Sequence, residues 1–393
     1  MRFPNILTLV LLTASQLAGQ NLAKLGPLPE VEPLNEGELE ESIKRGVDYL
    51  VGKQNKDGSW GGPTRTKGLN IYAPVPDSHL AFRSGASTLA LSGLLDSGDR
   101  RPEVVAAIDK AEKWLFKKLP KLRHLDPTTT YNVWGHAYGL RAIADLYEYR
   151  KGDEAKLSRL KQLADKQVQM LLKTEDINGG WGYLDLDGNH TVHFSGIPTS
   201  FTTATALLGM KDAHETFGLQ LPEKEIKRGL ASINKQRTPD WSFVYSFNHR
   251  FRPRTGINRP AGSLGRSQVC MAAMRKFGDK RVTDELLTHW LHRLCLREGW
   301  FDIGRKRPVP HETHFSISGY FYYYGFYYAT ECLQMLPPEK QEKFIPHLAR
   351  HILEKQERDG SWWDYPLYDY HQPYGTGYAL TTLSRLRKKS ASP

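Results

Sequence analysis

Seven histidines, His79, His136, His190, His193, His311, His314 and His371, fall at or just before the start of apolar segments rich in Ala, Gly, Ser and Thr. Imidazole titrates near neutral pH and serves as acid, base or metal ligand. Asp77, Arg83, Tyr131, Arg266, Glu312, Tyr320, Asp369 and Tyr374 occupy comparable positions. His193, His311, His371 and Tyr374 are the candidates for acid–base work. His79, Arg83, His136, Arg266, His314, Tyr320 and Asp369 are the candidates for ligand contact. Taken singly, each has a plainer reading as a local cap or loop hydrogen bond. The cysteines are only Cys270, Cys295 and Cys332, with no C-x-x-C pair, so no disulfide framework, zinc ribbon or thiol redox motif is expected. The reading assigns no metal and no cofactor.

These residues work together only if the elements carrying them converge. Tryptophan recurs in the turn-like strings "DGSW", "NGGW", "PDW", "REGW" and "DGSW" at Trp60, Trp181, Trp241, Trp300 and Trp362. The spacings are 121, 60, 59 and 62 residues, so one unit near residue 121 has lost its marker. That makes six units of about 60 residues. Before each turn, apolar residues recur at helical spacing, as with Leu39, Ile43, Val47 and Leu50. After it comes a second, more apolar helix. These are Ser84 to Leu95, Val133 to Tyr147, Thr199 to Met210, Leu264 to Met274, His314 to Leu333 and Tyr374 to Leu386. Small residues suit a tightly packed inner ring, and the charged faces of the first helices suit an outer one. The expectation is an all-α protein, an α6/α6 toroid of six helical hairpins. Its inner helices run parallel, so the loops before them, with the histidines, ring one mouth of a central cavity.

The 393 residues hold 39 % hydrophobic and 25 % charged residues, ordinary for a globular chain with a sizeable core. Arg2, the apolar run Ile6 to Ala14 and the small residues of Ser15 to Gln20 read as a secretory signal peptide, too short for a membrane span. The organisation expected is a signal peptide over 1–19, a Pro-containing acidic linker over 20–36 and one toroid domain over 37–389. The mature chain is expected to have no transmembrane span and to be periplasmic or extracellular. Net charge is +11 with no long Lys/Arg run. Export argues against nucleic acid and leaves a small-molecule, lipid or glycan ligand, on a basic surface that is chiefly solvated.

"KRGVDYLVGKQNKDGSW" (Lys44 to Trp60) and "EKQERDGSWW" (Glu354 to Trp363) resemble the QW motif of terpenoid cyclases. From about residue 36 to 388 the chain resembles the prenyltransferase and squalene-cyclase repeat superfamily. The resemblance implies that Gln and Trp staple neighbouring units. It speaks to fold more than activity, because the superfamily spans cyclases, protein prenyltransferase subunits and non-catalytic relatives. The cyclases' acid motif, D-x-D-D-T-A, has its counterpart at Pro198 to Leu208, where Thr199, Phe201 and Thr202 replace the carboxylates. The prenyltransferase zinc set is incomplete. Asp369 and His371 are in register, but no Cys starts the preceding unit. A zinc would need His311, His314 and His371 to meet.

Three functions follow. The main reading is an exported, terpenoid-cyclase-like toroid whose cavity binds an isoprenoid or other lipid. The second is a lyase or hydrolase of an anionic polysaccharide, since His, Tyr and Arg suit proton abstraction beside a carboxylate. The third is a non-catalytic binding or scaffold module. Sequence alone leaves catalysis open. The aromatic run Tyr320 to Tyr328 is divided between cavity and core.

Overall fold

A computed structural model describes residues 22–67, 77–122, 131–183 and 197–387. Residues 1–19, expected from sequence to be a signal peptide, and His190 and His193 lie outside these residues. Twelve helices of the described residues build the ring. They are α1 (Glu36–Lys53), α2 (Asp77–Ser97), α3 (Pro102–Lys118), α4 (Asn132–Tyr149), α5 (Glu154–Lys173) and α6 (Ser200–Phe217). Then follow α7 (Glu223–Lys235), α8 (Leu264–Lys276), α9 (Asp284–Leu296), α10 (Tyr322–Gln334), α11 (Ile345–Leu353) and α12 (His371–Leu386). Among the described residues there is no strand, only two isolated bridges.

Each even-numbered helix packs on the next, and α12 packs on α2, which closes the inner ring. The inner helices are buried almost all round, whereas α1, α3, α5 and α7 bury one stripe each. Their starts follow ordinary capping chemistry. Asn35, Asp153, Thr199 and Thr283 each accept a backbone N–H of the first turn, and Pro102 opens α3. Thr199 is thus the N-cap of α6. Residues 22–35 form no helix or strand, and Leu22, Leu28 and Leu34 pack against the core.

The staples are seen at three turns. Trp60, Trp181 and Trp362 are fully buried, and each indole N–H donates to the carbonyl ten residues earlier, at 2.7, 2.8 and 2.8 Å. Each tryptophan's backbone N–H donates to a hydroxyl of the following inner helix, Ser87, Thr203 or Thr376. Gln54 and Gln356 donate to carbonyls of the next outer helix, Ala107 and Ser42. The string shared by α1 and α7 has one function in both places. Arg45 and Arg228 donate to the preceding turn's carbonyls, and Gly46 and Gly229 face the ring of Trp362 and Trp181. Gln356 and Trp362 thus join the sixth unit to the first.

Two expected staples differ. Trp241 has φ +62° and takes the left-handed position filled elsewhere by Gly58, Gly179 and Gly360. The staple of the fourth unit is Phe243, fully buried, whose N–H donates to Ser263 Oγ at 2.9 Å. Trp300 is 38 % exposed in a short helix, Glu298–Asp302, and the neighbouring Phe301 fills the core instead. The cause is local: "REGW" continues a helical turn after α9 rather than leaving it.

The inner helices end in charge. Arg141 pairs with Asp145, Lys276 with Glu331, and Arg385 donates to Tyr327 O. Burial raises Asp145 to about 7 despite Arg141 beside it. Cys270, Cys295 and Cys332 are buried and free.

Candidate active site

At the opposite, N-terminal ends of the inner helices lies a cavity of about 370 Å³. Its size suits a small ligand or one or two rings of a longer one. Aromatic side chains dominate the wall. Phe82, Trp134 and Phe201 come from the N-terminal turns of α2, α4 and α6, Tyr131 from the N-cap of α4, and Tyr183 and Tyr365 from the loops after the staples. Tyr138 and Tyr378 hydrogen-bond across the ring from α4 to α12, and Tyr324 donates to or accepts from Thr205 at 2.9 Å. These tyrosines form the floor. Among the described residues no Asp, Glu, Lys or Arg lines the cavity.

Three lining residues, Tyr183, Tyr320 and His311, are joined through Tyr245, which is buried and does not itself line the cavity, into a line of hydroxyls ending at an imidazole. His311 Nδ1 lies 2.7 Å from Ser316 O. A carbonyl only accepts, so Nδ1 carries the proton and Nε2 is the acceptor. The Tyr320 hydroxyl donates to that Nε2 at 3.1 Å. Tyr245 and Tyr320 are linked at 3.3 Å, and Tyr183 closes on Tyr245. Four residues from three units therefore share one hydrogen-bonded path. Burial is the largest influence on all four: it pushes His311 down and the three tyrosines up. His311 is accordingly neutral, a base, at neutral pH.

His311 is also held under strain. Its φ is +62°, Ser316 nearby is at +54°, and Tyr131 and Tyr368 at the same mouth are at +66° and +46°. Left-handed backbone costs a non-glycine residue on the order of 1 kcal/mol and clusters at functional sites. Ser318 Oγ accepts the His311 N–H at 2.9 Å and helps to fix it.

Behind the wall lies Arg266, fully buried on the first turn of α8. It donates to the carbonyls of Gly262, Phe243 and Ile257, and no acid pairs with it among the described residues. Its guanidinium sits 5.3 Å from the Tyr245 ring centre and 5.4 Å from that of Phe321. Desolvation lowers it to about 10, so it remains a cation at neutral pH, and its field opposes ionisation of nearby bases and favours it for Tyr183 and Tyr320. A second hydroxyl faces the cavity at Tyr374, which donates to Asp364 Oδ1 at 2.6 Å. Asp364 is wholly buried, also accepts the Tyr323 N–H, and is pushed by burial to about 7.

Of the residues proposed from sequence, His311, Tyr320 and Tyr374 line the cavity. His79 lies at the rim, 3.2 Å from the Tyr370 hydroxyl, and Arg83 is 4.0 Å from Asp57. Asp369 and His314 are exposed. His136 points outward to Gln167 on α5, at 2.7 Å. His371 bonds Tyr368 O at 2.6 Å and packs on Trp363, away from the cavity. His311, His314 and His371 do not gather, and the described residues contain no cluster of His, Cys, Asp or Glu able to hold a metal. Tyr183, Tyr245 and Asp364 escaped the sequence reading. A signal existed: each stands two residues after a staple, at Trp181, Phe243 and Trp362.

No family model and no curated protein sequence matches the chain. Solved structures do. A cellobiose 2-epimerase from Spirochaeta thermophila aligns with TM-score 0.60 and 13 % identity over 89 % of this chain and 96 % of that one. An unsaturated glucuronyl hydrolase from Streptococcus agalactiae aligns with TM-score 0.58 and 16 % identity over 94 % and 98 %. An α-mannanase from Bacteroides thetaiotaomicron aligns with TM-score 0.52 and 10 % identity over 88 % and 95 %. At such identities the likeness establishes the α/α toroid. The prenyltransferase and squalene-cyclase assignment gains no support from them.

Proposed function

We propose that this toroid is an exported carbohydrate-active enzyme that cleaves an anionic glycan by elimination. The observation that carries this reading is the path His311–Tyr320–Tyr245–Tyr183 at an aromatic cavity that no carboxylate lines among the described residues. Aromatic faces suit sugar rings, and the glycan enzymes among its structural neighbours support the substrate class. Hydrolysis by paired carboxylates would place two of them across the bond. The described cavity offers neutral acids and bases instead, which suit removal of a proton beside a uronate carboxylate. Export rests on the sequence of residues 1–20.

In the proposed step Tyr320 oxygen takes the C5 proton as its own passes to His311 Nε2. The C5–H electron pair becomes the C4–C5 double bond, and the C4–O bond breaks. In the reactive form Asp364, raised to about 7, carries a proton, which it passes to Tyr374 as Tyr374 gives its own to the departing oxygen; solvent then restores the proton of Asp364 and takes up the one left on His311. Arg266 lowers the cost of transient negative charge on Tyr320. Tyr320→Phe and His311→Asn should each cut turnover of a uronate polysaccharide about 10²- to 10⁴-fold, followed by the ultraviolet absorbance of the unsaturated product. Binding should change little. Full activity in either variant, or a saturated new non-reducing end in the product, would contradict the reading.

The apolar lining favours a second reading, an isoprenoid or other lipid ligand held against aromatic faces. Lipid copurifying with the protein in native mass spectrometry, displaced by Tyr324→Ala or Tyr138→Ala, would favour it.

A further inference from the structure

The geometry points to a second binding surface outside the cavity, a rigid arginine-bearing arm over residues 247–259 that takes an anionic glycan chain. The arm precedes α8 and carries Arg252, Arg254 and Arg259, all exposed, with Phe251 among them at 73 % exposure. None of these arginines has an acid partner among the described residues, unlike Arg101, Arg141, Arg150, Arg275 and Arg305 elsewhere. Arg307, also exposed and unpaired among them, stands on the adjoining loop, and the two loops touch where Gly256 meets His314 and Ser316.

The arm is not a slack loop. Asn258 is buried and its amide donates to Arg252 O and Thr255 Oγ1, both at 2.8 Å. Arg259 Nε donates to Arg254 O at 3.0 Å, and Arg266 grips Ile257 O from below. Such preorganisation lowers the entropy lost on binding. Guanidinium forks match carboxylate and sulfate geometry in pairs, and an exposed ring among them offers a face to a sugar. The same residues tie the arm to the cavity, because Asn258 Oδ1 accepts the Tyr245 N–H at 2.9 Å. An anionic membrane is the less suited partner: the arm itself exposes one large apolar side chain, Phe251, rather than the continuous apolar face that interfacial binding uses, and Trp300, Ile303 and Val309 are exposed on the segment that carries Arg307.

The choice of polymer rests on the glycan reading above, so the test reads binding and not turnover. Tyr320→Phe protein is compared with the same protein carrying Arg252→Ala, Arg254→Ala and Arg259→Ala. A charge-matched control carries Lys117→Ala, Lys161→Ala and Lys166→Ala on exposed outer-helix positions. Probes are polygalacturonate, dextran sulfate, neutral dextran and phosphatidylglycerol vesicles. The arm predicts binding to at least one polyanion and not to dextran, weakened about tenfold or more in the arginine variant and by half that or less in the control. Equal loss in both variants would reduce the effect to net charge and overturn the proposal, as would polyanion binding unchanged by the arginine variant. Vesicle binding without glycan binding would assign the arm to a membrane. Detected binding with no elimination by the wild type would leave the arm standing and remove the catalytic reading.

Discussion

Burial, more than any neighbour, sets how His311, His351 and His371 titrate. His371 is almost wholly enclosed, and desolvation holds it down to about 4, well below the ordinary imidazole value near 6.5. Its bond to Tyr368 O and the distant Lys67 are smaller influences of opposite sign. A folded value below the unfolded one means that protonation favours unfolding. The stability linked to His371 is therefore complete above about pH 6.5 and is lost as the pH falls through 4, up to about 3 kcal/mol in all. His351, held at about 4 for the same reason, adds to the same decline. Urea midpoints measured between pH 7 and 4 should fall less steeply in His371→Gln than in the wild type. Parallel curves would show that His371 titrates normally. At this scale sequence reasoning reached the residue types but not their surroundings. His311 and His371 look alike as loop histidines, yet one opens on the cavity and the other is walled in by Trp363.

Between elements, the contact that decides the ring is glycine against indole. A Cβ on Gly46 would lie 2.7 Å from the Trp362 ring and 2.9 Å from Leu380, closer than packed atoms tolerate. Gly46→Ala should cost about 2 kcal/mol in urea unfolding. Gly52→Ala, near the exposed end of the same helix with nothing within 4 Å, should instead stabilise by about 0.5 kcal/mol. A neutral Gly46→Ala would mean that the first and sixth units do not meet there. The six-unit phase was legible because this contact imposes a repeated string: "IKRG" in α1 and α7, and "DGSW" before α2 and after α11. The fourth turn was not legible. There Trp241 adopts the glycine's backbone and Phe243 the tryptophan's place, so counting tryptophans shifted the unit by two residues and hid Tyr245. The inner helix of the fifth unit also starts at Tyr322 rather than His314. A 3-10 turn at Gly319–Phe321 precedes it, and the histidine pair is left in the loop.

At the scale of the molecule, closure of α12 on α2 makes one end of the ring a ledge of aromatic and hydroxyl groups and the other a set of ion pairs. The toroid followed from sequence period alone. Its chemistry did not, because the cavity wall is assembled from many short segments and no single segment carries a motif. An α/α toroid by itself does not name a substrate, because one fold carries many unrelated sites.

The central claim is that a sugar ring enters this cavity and presents a C–H bond to Tyr320 and His311. A crystal structure of Tyr320→Phe protein with a bound uronate oligosaccharide tests it most directly. The account predicts a ring stacked among Phe82, Trp134 and Phe201, its C5 within contact distance of residue 320 and His311, and its glycosidic oxygen towards Tyr374. A cavity filled instead by an apolar chain, or an oligosaccharide seated only outside the mouth, would contradict it.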